Sequence, residues 1–183
     1  QSQKRDIWKV FNEISPTYDF LNHLLSFGLD VHWRKQLKKF LSKKENLQIL
    51  DLATGTADVL ISLCAKNSQI AKAVGVDLAE KMLVIGREKI AQRHLEDKIS
   101  FQTADAHQLP FEDNTFDCVT IAFGIRNMED PSRVLTEMRR VLKKEGRALI
   151  LEFSLPEHKM LAAFYLFYLR KIVPLVGSCF SGH

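Results

Sequence analysis

The sequence predicts a doubly wound α/β fold, a mostly parallel sheet with helices on both faces. Short apolar runs alternate with amphipathic segments over most of the chain after residue 46. Such alternation is typical of βαβ units and therefore of a parallel sheet. In addition, the first run leads into a turn of small residues, "ATGTAD", and an acidic residue ends each of the next two. A chain of 183 residues is long enough for one domain with its own core.

Five strands and three helices are predicted in this part of the chain. The strands are short and apolar, whereas the helices carry apolar residues at helical spacing. The predicted strands are Leu47–Ala53, Ala71–Leu78, Lys98–Asp105, Phe116–Gly124 and Gly146–Ser154. The predicted helices are Asp58–Asn67, 79–94 and Asp130–Leu142.

The segment before the first strand has a helical pattern from Ile7 to about Leu41, with breaks near Ser15 and at Gly28. We expect residues 1–45 to form a helical lid over the sheet. Residues 46–183 then form the binding core, in one domain overall.

The end of the chain is a strongly apolar segment, residues 158–177, which predicts a helix that breaks at Pro174. Three interpretations stay open for it: packing on the domain, packing in a homodimer, or an exposed face for a prenyl tail or a membrane surface. No closing element follows this helix, and the chain looks truncated. We therefore expect the missing part to complete the edge of the sheet.

Composition narrows the class of protein. Hydrophobic residues make up 46% and charged residues 26%, as in ordinary globular proteins. The net charge of +4 comes without a dense basic stripe, so nucleic acid is not indicated as a partner. We interpret the run Arg34–Lys39 as a solvated helix face, with a phosphate or lipid-headgroup patch as the alternative. Scattered cysteines such as Cys64 and Cys118, and the lack of a long apolar span, predict a cytoplasmic protein.

The turn after the first strand favours a cationic ligand over a dinucleotide. Ligands of open α/β sheets bind beyond the carboxyl ends of the strands. A dinucleotide turn needs three glycines, and here only Gly55 is present, beside Ala53 and Ala57. Asp51 would also face an anionic pyrophosphate. S-adenosylmethionine (SAM) has an ammonium, a sulfonium and no phosphate, so Asp51 could accept from its ammonium; capping of the turn is the alternative role.

The next two strand ends extend the same hypothesis. Asp77 stands at the end of the second strand, where a carboxylate can accept both hydroxyls of a ribose. Asp105 ends the third strand and can accept from the N6 amine of adenine, while the Ala106 N–H can donate to a ring nitrogen. One nucleoside ligand lying along the sheet edge would contact the three strand ends, at Asp51, Asp77 and Asp105.

Two longer stretches carry a resemblance to a known family. They are "YDFLNHLLSFGLDVHWRK" (18–35) and "FGIRNMEDPSRVLTEMRRVLKKEGRALILEFSLP" (123–156). Both closely resemble the ubiquinone/menaquinone biosynthesis C-methyltransferase family, whose members are class I SAM-dependent methyltransferases. The resemblance covers nearly the whole chain. It implies methyl transfer to a ring carbon of a prenylated quinol, such as demethylmenaquinol, by a cytoplasmic or membrane-peripheral enzyme.

The resemblance also implies roles for single residues. Ala57 departs from a usual glycine and is expected to tighten the turn, and Ala122 departs from a usual serine beside the cofactor. The segment 143–146, "KKEG", replaces a common turn and is expected to be a structural change only. The positions that match SAM contacts of the family are Thr56, Asp77, Asp105 and Ala106.

The catalytic residues are predicted in "GIRN", after the fourth strand. Arg126 could stabilise a phenolate or orient a water, but a guanidinium stays protonated in proteins and is not a plausible base. A structural ion pair with Glu129 or Asp130 is its alternative role. Asn127 could orient the quinol or the cofactor, and Asp19 is an alternative base. The histidines show no spacing typical of metal ligands, so no metal is predicted.

Rival functions remain at this stage. One is a SAM-dependent methyltransferase acting on another small lipophilic acceptor. A second is a non-catalytic SAM-binding scaffold of a quinone-biosynthesis complex. A dehydrogenase is disfavoured by Asp51 and by the missing glycines.

Overall fold

The computed structural model describes residues 7–15, 23, 26 and 28–152. The predicted helix at 158–177 lies outside these residues, as does Asp19. Nearly all of the predicted sheet lies within them.

Five parallel strands form one sheet in the order β3-β2-β1-β4-β5. The prediction of a parallel α/β sheet is therefore confirmed. The central strand, β1, is also the most buried, because it is covered on both faces. The strands are β1 Leu47–Leu52, β2 Ile70–Asp77, β3 Ile99–Thr103, β4 Phe116–Ala122 and β5 Leu142–Leu151.

Helices precede the sheet and connect its strands. The helix after β1 ends before its predicted limit, because Lys66 has a left-handed backbone (φ 55°) that cannot continue a helix. The last helix begins after Asp130, whose carboxylate accepts from the Arg133 N–H at 3.1 Å and caps it. The helices of the described residues are α1 Ile7–Ile14, α2 Leu29–Gln36, α3 Asp58–Cys64, α4 Glu80–Ala91 and α5 Pro131–Val141, with 3₁₀ turns at Leu37–Phe40 and Ile125–Asn127.

The core is divided by the sheet into two layers. On β1, Leu47 and Ile49 point to one face and Leu50 and Leu52 to the other, as the alternation of a strand requires. The first pair packs with residues of α3 and α4, and the second with residues of α5. The expected helices on both faces are thus present.

The start of β5 differs from the prediction, which placed it at Gly146. Phe116 pairs with Leu142, but Cys118 pairs with Arg147, so the intervening "KKEG" residues form an irregularity at the strand's beginning. A Cβ on Gly146 would lie 2.7 Å from a Leu142 methyl carbon and 3.1 Å from the Phe116 carbonyl oxygen. The backbone therefore folds back tightly enough to require glycine there.

The sheet has one point at which the strand order reverses. From β1 the chain moves outward through β2 to β3, and it then returns to the other side of β1 with β4. Such a switch point leaves a crevice at the carboxyl ends of the two neighbouring strands, where open α/β sheets bind their ligands.

Candidate cofactor-binding site

A cavity of about 550 Å³ lies at the carboxyl ends of the strands. The segments that follow β1, β2, β3 and β4 all line it, and α1 contributes Trp8 and Phe11. Of the predicted site residues, the cavity brings together Gly55, Asp77, Asp105, Ala106 and Asn127.

The turn after β1 is unusually tight. Ala53, Gly55 and Ala57 have positive φ angles of 48°, 54° and 68°. Two of these residues are alanines, for which a left-handed backbone costs conformational free energy that it does not cost glycine. A Cβ on Gly124, in the neighbouring loop, would lie 2.9 Å from the Ala53 Cβ, so the two loops approach closely.

Asp77 holds this turn in place. One of its carboxylate oxygens accepts from the Gly55 N–H and the other from the Ala79 N–H, both at 2.9 Å. Burial raises the pKa of the carboxyl, and these backbone hydrogen bonds oppose the change. A carboxylate fixed in this way at the cavity wall is oriented before any ligand arrives.

Replacing Asp77 with alanine should weaken SAM binding by about 1.5–3 kcal/mol, the usual loss for a hydrogen bond to a charged group. Calorimetric titration with SAM measures this change. Asp117→Ala is a matched control, because Asp117 also accepts from a backbone N–H (Gln48, 2.9 Å) but does not line the cavity. Unchanged SAM affinity in a folded Asp77→Ala protein would remove the ribose role.

Asp105 lies at the far side of the cavity and is fixed by His107. Its Oδ1 atom accepts from the His107 N–H at 2.9 Å and lies 2.6 Å from the His107 Nδ1 atom. Since the Nε2 atom of the same ring accepts from the Asp130 N–H, the proton belongs on Nδ1, which donates to Asp105. Burial alone would raise the pKa of Asp105, but the His107 hydrogen bonds lower it below its ordinary value.

Asp51 does not line the large cavity. Its side chain is buried, with the residue only 1% exposed. Its two oxygens accept from the Thr54 hydroxyl at 2.7 Å and the Thr120 hydroxyl at 2.5 Å. Burial raises its pKa from 3.8 to about 7 against these hydrogen bonds. Asp51 and Thr56 instead line a small neighbouring cavity of about 20 Å³.

Arg34 also lines the small cavity, and the prediction of a solvated face is wrong for this residue. Its side chain is only 7% exposed and pairs with Asp30 at 3.0 Å and with Asp58 at 2.8 Å. Asp30 is fully buried and also accepts from Ser26 at 2.7 Å. Exposed lysines elsewhere in the run, such as Lys35, do form a solvated face. The Asp30–Arg34 spacing of four residues was a signal that could have indicated the pair.

Lys89 extends this charged network to the turn. Its ammonium donates to the Asp58 carboxylate at 2.7 Å and to the Thr56 hydroxyl at 2.9 Å. Thr56, a predicted cofactor contact, is therefore held from below by α4. Asp30 and Asp58 thus pair with Arg34 and Lys89. These four residues, from α2, α3 and α4, stabilise the turn after β1.

The two predicted catalytic residues are not placed alike. Asn127 lines the large cavity, whereas Arg126 does not. Arg126 is 48% exposed at its side chain and lies 3.5 Å from a carboxylate oxygen of Glu152, at the end of β5. Sequence analysis had considered Glu129 and Asp130 as its partners, but not Glu152.

Aromatic residues around the cavity were not predicted as ligand contacts. Trp8 lines it, and so does Phe123, which follows β4 in a left-handed conformation (φ 57°). The Trp33 ring packs behind Phe123 with ring centroids 6.5 Å apart. Aromatic spacing on a helix does not reveal which tertiary surface it meets, so the sequence carried no clear signal for these contacts.

The residues present fit SAM as a cofactor. Asp77 and Asp105 are held in fixed orientations at the tips of β2 and β3. Gly55, which lines the cavity, has no side chain and lets the backbone approach a ligand. Among the described residues, no cluster of side chains suits a metal ion. A doubly wound sheet with this site at its switch point is typical of class I SAM-dependent methyltransferases.

Comparison with known proteins gives the family. The chain belongs to the ubiE/COQ5 methyltransferase family, whose model matches residues 1–183. It is 45% identical over 172 residues to the ubiquinone/menaquinone biosynthesis C-methyltransferase UbiE of Geobacter sulfurreducens, covering 94% of this chain and 67% of that protein. It is 44% identical over 180 residues to the demethylmenaquinone methyltransferase of Thermotoga maritima, covering 98% and 76%.

A solved structure agrees with this assignment. A SAM-dependent methyltransferase from Aquifex aeolicus superimposes with a TM-score of 0.60 at 25% identity, over 69% of this chain and 66% of that one. The predicted family, fold and cofactor are confirmed by these comparisons. The roles of the single site residues stay predictions.

Proposed function

We propose that this chain transfers the methyl group of SAM to a ring carbon of a prenylated quinol, such as demethylmenaquinol. The observation that carries the proposal is the identity of 44–45%, over almost the whole chain, to relatives named for quinone biosynthesis. The cavity supports it, because the segment after β4 combines the Phe123 ring with the polar Asn127. A quinol ring with hydroxyl groups needs both kinds of contact.

Under this proposal, some residues of the cavity wall contact the cofactor and others contact the acceptor. Gly55 lets the backbone approach the amino-acid end of SAM, and Asp77 accepts the ribose hydroxyls. Asp105 accepts from the adenine amine and the Ala106 N–H donates to its ring. Asp51 and Thr56 contribute to the amino-acid end from the small cavity.

The chemistry requires alignment and proton removal. SAM supplies a methyl group on a sulfonium that is already a good leaving group. The ring carbon becomes nucleophilic once the adjacent hydroxyl loses its proton, and a second proton leaves the methylated carbon. Arg126 stabilises the phenolate or orients a water that takes the proton, and Asn127 orients the quinol oxygen. Asp19 is the alternative base.

The segment 1–45 acts as a lid over this site, and 46–183 as the binding core. The positions of Trp8 and Phe11 support this role for the segment, because α1 brings both residues to the cavity wall. We place the enzyme in the cytoplasm, in peripheral contact with the membrane that dissolves its substrate, and without a nucleic-acid partner. The proposal includes a homodimer, for which the apolar sequence of residues 158–177 is the candidate contact. Within the described residues, no helix is long and apolar enough to cross a membrane.

Methyl transfer from labelled SAM to a short-chain demethylated naphthoquinol should proceed at a measurable rate. The matched control acceptor is the same ring with its target carbon already methylated, which should give no labelled product. A corresponding ubiquinol precursor, assayed alongside, distinguishes the two quinone pathways. SAM binding without turnover on any quinol would favour the scaffold, whereas turnover only on non-quinol acceptors would favour the rival methyltransferase.

A further inference from the structure

The guanidinium of Arg34 uses only part of its hydrogen-bonding capacity. Its Nη1 atom lies 3.0 Å from Asp30 and 2.8 Å from Asp58. A guanidinium has five N–H donors, and Nη1 carries two of them. Within the described part of the chain, the Nε and Nη2 atoms of Arg34 make no hydrogen bond.

Arg34 lines the small cavity of about 20 Å³ beside the large one. The small cavity that it lines is also lined by Asp51 and by the threonines of the turn, Thr54 and Thr56. This cavity shares Ala53, Ala122 and Phe123 with the large one, so the two are neighbours. The centroid of the Phe123 ring lies 5.8 Å from the Arg34 guanidinium carbon.

The charges of this corner suit a zwitterion. Arg34 offers a buried cation, Asp51 an acid, and the threonines offer hydroxyl groups, all around the turn that follows β1. Among the described residues, the carboxylates of Asp30 and Asp58 form ion pairs with Arg34 and Lys89. An amino acid has the complementary pair of groups, a carboxylate and an ammonium.

We propose that Arg34 binds the α-carboxylate of the methionine part of SAM through its unused donors. The amino-acid end then lies over the turn at Gly55, and the nucleoside end extends toward Asp77 and Asp105. Arg34 is thereby a specificity residue for the cofactor, and α2 couples the lid segment to cofactor binding. The inference is independent of which acceptor the enzyme methylates.

The test compares SAM with decarboxylated SAM, which keeps the ammonium, sulfonium and adenosine but lacks the carboxylate. Calorimetry on the unmodified protein should give an affinity for SAM about 10- to 100-fold higher, the range for a charge-assisted hydrogen bond. Equal affinities would overturn the proposal without any variant. Because binding is measured, the result does not depend on quinol turnover, and failure here leaves the proposed function intact.

Variants assign the preference to Arg34. Arg34→Gln should lose most of the preference for SAM, while its affinity for decarboxylated SAM changes little. Arg133→Gln is the matched control, since Arg133 lines the large cavity beside His107, and it should keep the full preference. A folded Arg34→Gln protein with the preference of the unmodified protein would overturn the proposal, as would its loss in Arg133→Gln alone.

Arg34→Lys covers the case in which the glutamine variant does not fold. A lysine keeps the positive charge for Asp30 and Asp58, but its ammonium lacks the planar fork that reaches acids and ligand together. The preference for SAM should fall several-fold in this variant. An undiminished preference would contradict recognition by the guanidinium.

Discussion

Arg126→Ala should lower the kcat of methyl transfer about 10²–10³-fold, as loss of other oxyanion stabilisers does. The reason is that Arg126 follows β4 next to Asn127, which lines the cavity, and its side chain is half exposed. The proposed role requires this side chain to turn from Glu152 toward the acceptor. A group that stabilises the developing phenolate acts mainly in the transition state. SAM affinity should therefore change little, which calorimetry on the same protein checks.

Arg126→Lys separates the charge from the shape of the guanidinium, and it should recover only part of the rate. Glu152→Gln is a useful companion, because it removes the charge that lies 3.5 Å from Arg126 while leaving the arginine in place. If the alanine variant turns over at a near-normal rate on a quinol, Arg126 has no role in the chemistry, and Asp19 becomes the leading base.

Asp51→Asn should abolish a large pH dependence of the free energy of unfolding. Burial raises the pKa of Asp51 from 3.8 to about 7, so the folded protein binds this proton more tightly than the unfolded chain. The stabilisation is fully present below about pH 4, declines as pH rises toward 7, and is lost above the folded pKa. The change amounts to about 4 kcal/mol, at roughly 1.4 kcal/mol per pKa unit.

Urea unfolding of both proteins between pH 4 and 8 measures this contribution, because the difference between them isolates Asp51 from the other titrating groups. Asparagine imitates the neutral carboxyl and can keep hydrogen bonds to Thr54 and Thr120. The unmodified protein should therefore lose stability relative to the variant as pH rises. A constant difference over this range would show that the Asp51 pKa is close to its ordinary value in the folded protein.

The sheet could be predicted from the sequence because its signals are local. Each buried strand is a short apolar run, and the residues at the helix limits, such as Lys66 after α3 and Asp130 before α5, act through their own backbone or the next turn. The start of β5 was missed for the opposite reason. The irregularity that ends at Gly146 depends on where Phe116 lies in the neighbouring strand, which no local pattern records.

The site was predictable where it depends on strand ends and not where it depends on distant helices. Asp77 and Asp105 were found because parallel strands bring their carboxyl ends to one edge. The sequence pattern alone predicts a surface charge at Arg34, since its partner Asp58 lies 24 residues away and its burial depends on how α2 meets α3. Lys89 was missed for the same reason, because its contact with Thr56 spans 33 residues.

The positions of the two tryptophans have a practical consequence. Trp8 lines the large cavity, and Trp33 packs against Phe123, which forms part of the same wall. The chain contains no other tryptophan. Its intrinsic fluorescence therefore originates from two indoles near a single site, one at the cavity wall and one packed against a residue of that wall. Tryptophan emission from the unlabelled protein should therefore change when cofactor or acceptor binds. In a Trp8→Phe protein only Trp33 emits, and a change in its emission would report binding at the Phe123 side of the cavity.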